Sequence, residues 1–379
     1  MHASYRNIYF FIASYNKKYI TKTKHITYRI KMKSSKSIVA IVKGNQYNAT
    51  KEALSLIKDQ IKPPTGSRIV LKPNLLSSKR SKIVNTDPNV MLAIKDFFEN
   101  QMNSKNILIA EGTTHGDPNE MKTAMENNDY FKIYSNWNCF DLNNDLPGTW
   151  FRIFEYNKDR GVEVALAKTI IDSNYIVSVP KFKTHDVLGL TLSLKNFMGT
   201  LVAAKDANGN FIHNNTDEVC PLMHGFVDKR PHQLSDVENT GPSKLCLSVN
   251  LVRMIISIQP KAPVIDIKPS LAVIDGVNAM EGDGPAFKGA KKDLGLIIAS
   301  SDFIAADTIA SYISGLYPLK YIKRAGELGL GKYRLDQIEI VGEDLESSIA
   351  PFKPHHLFPK SKFSKEEVIK LKELTDIVY

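Results

Sequence analysis

Apolar residues in this chain recur in two alternating patterns. Ser37 to Val42 is a β-branched apolar run that stops at Lys43-Gly44, and Ala53, Leu54, Ile57 and Ile61 follow at helical spacing. Arg68 to Leu71 reads as a buried strand ending in Lys72-Pro73-Asn74. Thr86-Asp87-Pro88 is a helix start, with a capping residue ahead of a proline, and Val90, Ile94, Phe97 and Phe98 form the helix's apolar face. Asn106 to Ala110 predicts a strand stopping at Glu111-Gly112, and Tyr175 to Val179 another stopping at Pro180. Leu245 to Ile258 and Phe303 to Ile313 read as helices, Leu271 to Ile274 and Leu294 to Ala299 as strands. This rhythm predicts an α/β fold, a largely parallel sheet with helices on both faces.

Two stretches break the rhythm. Residues 115 to 165, rich in Asn and Asp, predict a helix, turns and a short hairpin around Trp150 to Glu155. Residues 200 to 243 carry Gly, Asn, Pro and His with little periodicity, which predicts an irregular loop or lid insertion. The α/β domain is therefore expected over 37–342, with that insertion at about 200–243 and a C-terminal extension over 343–379.

Charge changes the picture only at the start of the chain. The net charge is +10, but residues 1–36 hold nine basic side chains and no acid, so the remainder is nearly neutral. A nucleic-acid partner is not expected of such a body, nor a membrane partner, because no run approaches the roughly 20 apolar residues a spanning helix needs. Residues 1–36 read as a disordered tail or an extension ahead of a start at Met32, with a targeting or surface-binding arm as the alternative. Cys139, Cys220 and Cys246 form neither a disulfide framework nor a CxxC pair, which predicts a reducing, cytoplasmic setting.

Candidate chemistry gathers at strand ends, where ligands bind in open parallel sheets. Lys72 and Asn74 follow one strand, Glu111 another, and Lys181, Lys183 and His185 a third; Asp275 follows a fourth and Asp302 a fifth. If the chain stays extended past Pro180, Lys181, Lys183 and His185 share a face, with Phe182 and Thr184 opposite. Adjacent lysines call for an anion between them, a phosphate or carboxylate, and crowding lowers a lysine's pKa toward base or Schiff-base chemistry. A solvated edge with ordinary lysines is the plainer alternative. Thr191 to Gly199 reads as a short amphipathic helix ended by glycine, offering Lys195 and Asn196 to the same site.

Asp275, Glu281 and Asp283 place three carboxylates within nine residues, and Gly276, Gly282 and Gly284 permit tight turns and close approach to a ligand. That block can hold a divalent cation through oxygen, or be a structured turn. His213, Cys220, His224 and His232 are transition-metal ligand types in no familiar spacing. His115 and Asp117 stand near Glu111 in sequence, Asp87 reads as a helix cap, and Asp307 as a cap or a site residue.

The segments LKPNLL (71–76), VPKFKTHDVLGLTLSLKNFMG (179–199) and VIDGVNAMEGDGP (273–285) resemble the signature blocks of the domain of unknown function 362 family. Ser301-Asp302, Ala306-Asp307 and Gly329-Leu330-Gly331 fit it as well, so the likeness runs over about 37–342. It implies an α/β fold with largely undefined biochemistry, and some members carry a ferredoxin-like iron–sulfur module. Closely spaced cysteines are missing here, so an intrinsic cluster is not expected, though a separate iron–sulfur protein partner fits the resemblance.

Three readings follow. The first is an enzyme for a small anionic substrate. Its catalytic residues are Lys181, Lys183, His185 and Asp275, and Lys72, Asn74, Glu111, Lys195, Asn196, Gly282 and Gly284 contact the substrate. Asp275, Glu281 and Asp283 are its candidate metal ligands. The second is a redox accessory or metal-handling protein, and the third a non-catalytic ligand-binding module.

Overall fold

The computed structural model describes residues 36–113, 120–156, 159–225, 237–259, 268–358 and 362–376. Its strands are β1 (Ser37–Lys43), β2 (Ile69–Pro73), β3 (Ile107–Glu111), β4 (Cys139–Asp141), β5 (Pro147–Arg152), β6 (Glu163–Ala167), β7 (Tyr175–Val179), β8 (Lys181–His185), β9 (Gly189–Thr191), β10 (Leu201–Lys205), β11 (Phe211–His213), β12 (Leu271–Asp283), β13 (Lys288–Ser300) and β14 (Ile338–Gly342). Among the described residues ten strands form one sheet in the order β14-β1-β13-β12-β7-β2-β3-β4, with β8 paired to β12 and β9. The neighbours β12-β7-β2-β3-β4 are parallel throughout, as are β14 and β1, whereas β13 lies antiparallel between β1 and β12. The sheet is thus mixed and mostly parallel.

Period-two alternation sends side chains of each strand into two cores. Ala40, Val42, Ile69, Leu71, Val177 and Val273 face one side, where helices α1 (Gln46–Leu56) and α2 (Pro88–Gln101) pack. Val39, Ile41, Val70, Ile176, Ile274 and Ile298 face the other, against the helix Phe303–Ile313 and a second, antiparallel sheet of order β11-β10-β6-β5. Burial on both faces explains why the strands read as continuous apolar runs. No helix among the described residues is long and apolar enough to cross a membrane.

Three expectations need correction. The stretch 200–243 is not simply irregular: it supplies β10 and β11 and the turns after them, while 226–236 lie outside the described residues. Its β10 pairs with β6, so it extends a sheet whose β5–β6 hairpin is longer than the one expected around Trp150 to Glu155. The glycine-rich block 273–285 is not a turn throughout, because its residues to Asp283 continue β12 into a long hairpin with β13. Thr191 to Gly199 is no amphipathic helix: it is a helical turn, Ser193–Asn196, running into a tighter one, Phe197–Thr200, and most of it is buried. The extension after Gly342 also packs on the domain: Arg253 donates to Leu374 O (3.1 Å) and Lys244 pairs with Glu367 (3.1 Å). Residues 1–35, with the tail expected there, lie outside the described residues.

Candidate functional site

The chain does stay extended past Pro180. β7 and β8 lie end to end along β12, with Leu271 in register with Val177 and Asp275 with Lys181. β2 stops opposite Val179, so β8 projects beyond the carboxyl edge of its parallel neighbours. Phe182 turns to one side, stacked on Phe352 with centroids 4.7 Å apart, while Lys181 and Lys183 turn to the other.

Two buried ion pairs frame this edge from opposite faces. On the α2 side, Lys181 Nζ lies 2.8 Å from Asp275 Oδ2, which also accepts the Asp87 N–H at the start of α2 (2.9 Å). On the far side, Lys72 Nζ lies 2.5 Å from Glu111 Oε1 and 3.3 Å from Asn196 Oδ1. Glu111 accepts further bonds from Leu75 N and Gly112 N, both 3.1 Å. Asn196 returns its amide to Lys72 O (3.0 Å) and Ser178 Oγ (3.2 Å). Burial pushes both members of the second pair toward neutrality, lowering Lys72 and raising Glu111. It also raises Asp275, against the pull of Lys181.

Between the pairs stand two lysines with no carboxylate within 4.0 Å among the described residues. Lys183 is fully buried, and its Nζ donates to the carbonyl of Val84 (2.8 Å). Burial, then the ammonium groups of Lys195 and Lys181, hold its pKa well below the ordinary lysine value. Lys195 is half-buried, so it keeps contact with solvent, and burial lowers its pKa as well. Two buried acceptors at this edge, Asp275 Oδ1 and Asn74 Oδ1, have no hydrogen-bond partner among the described residues.

A histidine-rich flank adjoins the lysines. His185 is buried, its Nδ1 accepting the N–H groups of Val187 (3.3 Å) and Leu188 (3.4 Å) and lying 2.7 Å from Asp186 Oδ1; burial holds it neutral, with a pKa lowered to about 4. His224 shares a 2.6 Å hydrogen bond with Ser243 Oγ, and burial lowers it to about 3. Asp186 is pulled down by both imidazoles despite its own burial. The native pKa values of both histidines lie below the ordinary 6.5, so their contribution to stability is complete above pH 6.5 and is lost as pH falls through about 4. In an NMR titration the imidazole signals of His185 and His224 are therefore expected to stay flat from pH 8 to about 5. Movement of either signal near pH 6.5 would show it is not desolvated.

Other candidates fall elsewhere. Asp275, Glu281 and Asp283 do not surround one cation. Asp275 is spent on Lys181, Glu281 Oε2 accepts from Lys353 N (3.0 Å) and Lys292 (3.3 Å), and Asp283 meets His356. Six extended residues, roughly 20 Å, separate the first from the second. Gly282 and Gly284 sit at the hairpin end, against Thr184 of β8. Gly282 O accepts from Thr184, and a Cβ on Gly284 would meet Thr184 O at 2.6 Å, so this glycine serves backbone packing. Asp302 caps the helix Phe303–Ile313 and accepts from Lys332 N (2.8 Å), and Asp87 caps α2, so both side chains are structural. Asp307 accepts the N–H groups of Ser193 (2.9 Å) and Leu194 (3.0 Å), positioning the turn that carries Lys195. His213 lies beside Glu218, and Cys220 donates to Met198 O (3.3 Å). His115, Asp117 and His232 lie outside the described residues.

Sequence reasoning missed Asp186, although it directly follows His185, and the loop around Val84. The loop contributes a carbonyl and an N–H, which leave no side-chain signal. It also missed why Gly199 is glycine: a Cβ there would stand 2.2 Å from Glu111 Oε1 and 3.0 Å from Lys72 Nζ.

A family model described as a domain of unknown function (DUF362) matches residues 69–312. A thylakoid-associated protein of Synechocystis sp. is 25% identical over 283 residues, covering 74% of this chain and 72% of that protein. Among solved structures, the lactate racemase apoprotein of Thermoanaerobacterium thermosaccharolyticum aligns over 76% of this chain, with a TM-score of 0.41 and 11% identity. A Thermotoga maritima protein aligns over 72%, with a TM-score of 0.40 and 11% identity. This chain spans 60% of each of those two solved chains.

Proposed function

Since this chain belongs to DUF362, a family defined by a domain of unknown function, we propose that its work is done at the lysine edge, on a small molecule carrying a carboxylate or phosphate. The observation that carries this reading is Lys183, a fully buried amine whose hydrogen bond goes to a backbone carbonyl rather than to an acid. An uncompensated buried ammonium is costly, so such a site either takes an anion or sheds the proton. Lys195, in contact with solvent, draws the anion in, and Lys183 meets it inside. Held below its ordinary pKa, the Lys183 amine serves as a base or nucleophile toward the bound molecule. The unpartnered oxygens of Asp275 and Asn74 accept from a donor on the same ligand. Neutral His185 stands by for proton transfer.

The test is calorimetry with inorganic phosphate, acetate and oxalate as the simplest anions, on wild type and Lys183→Met. One of them should bind saturably to the wild type, and the variant should lose about 1.5–3 kcal/mol of that binding, roughly 10- to 150-fold. Stability should behave oppositely. The native Lys183 pKa lies well below the unfolded 10.5, so its burial penalty is full below the native value, shrinks as pH rises above it and is gone by 10.5. Lys183→Met should therefore match or exceed wild-type stability at pH 7, with the advantage vanishing in strong alkali. Equal anion binding by the two proteins would overturn the proposal. Binding with no turnover of any bound metabolite would make the site a binding module instead of an enzyme.

A further inference from the structure

The far end of the β12–β13 hairpin carries a second set of ligating groups. Asp283 is the last residue of β12, and His355 and His356 come from the segment that follows Pro351. One ligand atom from each of the three lies within 4.8 Å of the others. His356 Nδ1 is 2.8 Å from Asp283 Oδ1 and His355 Nδ1 is 3.9 Å from it. The two imidazoles stack with centroids 4.6 Å apart and planes 24° apart, so they present as a pair.

Backbone contacts hold both sides of this cluster. Gly282 N donates to Lys353 O (2.7 Å), Lys353 N to Glu281 Oε2 (3.0 Å), and Lys292 Nζ to Pro351 O (2.8 Å). Phe352, in the same segment, stacks on Phe182. Metal–ligand bonds of about 2.1 Å place the donor atoms of a tetrahedral site roughly 3.4 Å apart. That value falls between the 2.8 Å and 3.9 Å separations here. His355 Nδ1 also accepts the Leu357 N–H (3.1 Å), a bond that coordination at this nitrogen would replace.

We propose that Asp283, His355 and His356 bind one divalent transition-metal ion, with zinc the best match, and that the ion clasps residues 351–358 to the end of β12. Two imidazoles and one carboxylate suit zinc and its neighbours, whereas magnesium and calcium ask for oxygen ligands throughout. Asp283 is shared with the three-carboxylate site expected from sequence, but its partners are histidines that lie 72 and 73 residues away. His355 also feels the carboxylate of Asp186, so the clasp borders the flank of the lysine edge without depending on what binds there.

Chelator-treated full-length protein titrated with zinc chloride should take up one equivalent and melt at a higher temperature. Magnesium chloride should do neither. Cobalt(II) in place of zinc should give the absorption of a tetrahedral site. His356 is two-thirds exposed, so His356→Ala should leave the metal-free melting point unchanged while weakening zinc about tenfold or more, and Asp283→Asn should weaken zinc similarly. Absence of saturable zinc uptake would overturn the assignment. So would uptake that both variants retain at wild-type affinity, because the ion would then sit elsewhere.

Discussion

Glu111→Ala is expected to lower the unfolding free energy by about 3–5 kcal/mol, the usual cost of removing one partner from a buried ion pair. Glu111 is buried at the end of β3, and its two oxygens serve Lys72 Nζ, Leu75 N and Gly112 N. Truncation takes the carboxylate from a buried ammonium that keeps only the neutral oxygens of Pro73 (3.0 Å) and Asn196 (3.3 Å), and takes an acceptor from Leu75 N, while Gly112 N keeps Gly199 O (2.9 Å). The double variant Lys72→Met/Glu111→Leu removes the charge along with its partner, so it should recover a substantial part of the loss. Urea unfolding of the two proteins reads this directly. A double variant no more stable than the single one would mean that the packing around Gly199, not the uncompensated charge, sets the cost.

Asp307→Ala is expected to cost about 2–6 kcal/mol, because two buried backbone N–H groups, those of Ser193 and Leu194, lose their acceptor at roughly 1–3 kcal/mol each. The loss should depend on pH in a particular direction. Burial raises Asp307 to about 7 in the native protein, above the 3.8 of a free carboxyl. The folded state therefore binds the extra proton between these values, and this contribution to stability is complete below 3.8 and lost as pH rises through about 7. The gap between wild type and Asp307→Ala should thus widen on acidification from pH 7 toward 4, by at most about 1.4 kcal/mol per pH unit. His185 and His224 act in the opposite sense over that range, but they are common to both proteins and cancel in the difference. A gap that narrows on acidification would mean Asp307 is ionised when folded. Anion binding is a second readout, since Lys195 and Asn196 ride on the turn that Asp307 holds.

Much of this was legible in the residues themselves. Continuous apolar runs such as Arg68 to Leu71 and Asn106 to Ala110 announced strands buried on both faces, and the polar residue after each run marked the carboxyl edge. Asp87 ahead of Pro88 gave the start of α2 to the residue. Alternation along 181–185 turned Lys181 and Lys183 away from Phe182. These features are local: they follow from side-chain period, capping and turn chemistry, which a short window of sequence contains.

What the window could not contain is pairing between distant segments. Read along the chain, Lys72, Lys181, Lys183, His185 and Asp275 belong to one site at the carboxyl edge of the sheet. Tertiary structure divides them into two ion pairs on opposite faces, leaving Lys183 uncompensated between them. Asp307 is indistinguishable from a site residue until Ser193 and Leu194 are seen to point at it. The run from Asp275 to Asp283 looks like one acidic loop, yet strand pairing with β13 draws it straight and sends its carboxylates to different partners. Sequence alone determined the elements, their order and the edge where polar residues collect, because those depend on neighbours along the chain. Which charges are paired, which lysine is left without an acid, and which histidines meet Asp283 were decided by tertiary structure, because charge compensation in a buried site is a property of contacts across the chain and not of any residue in it.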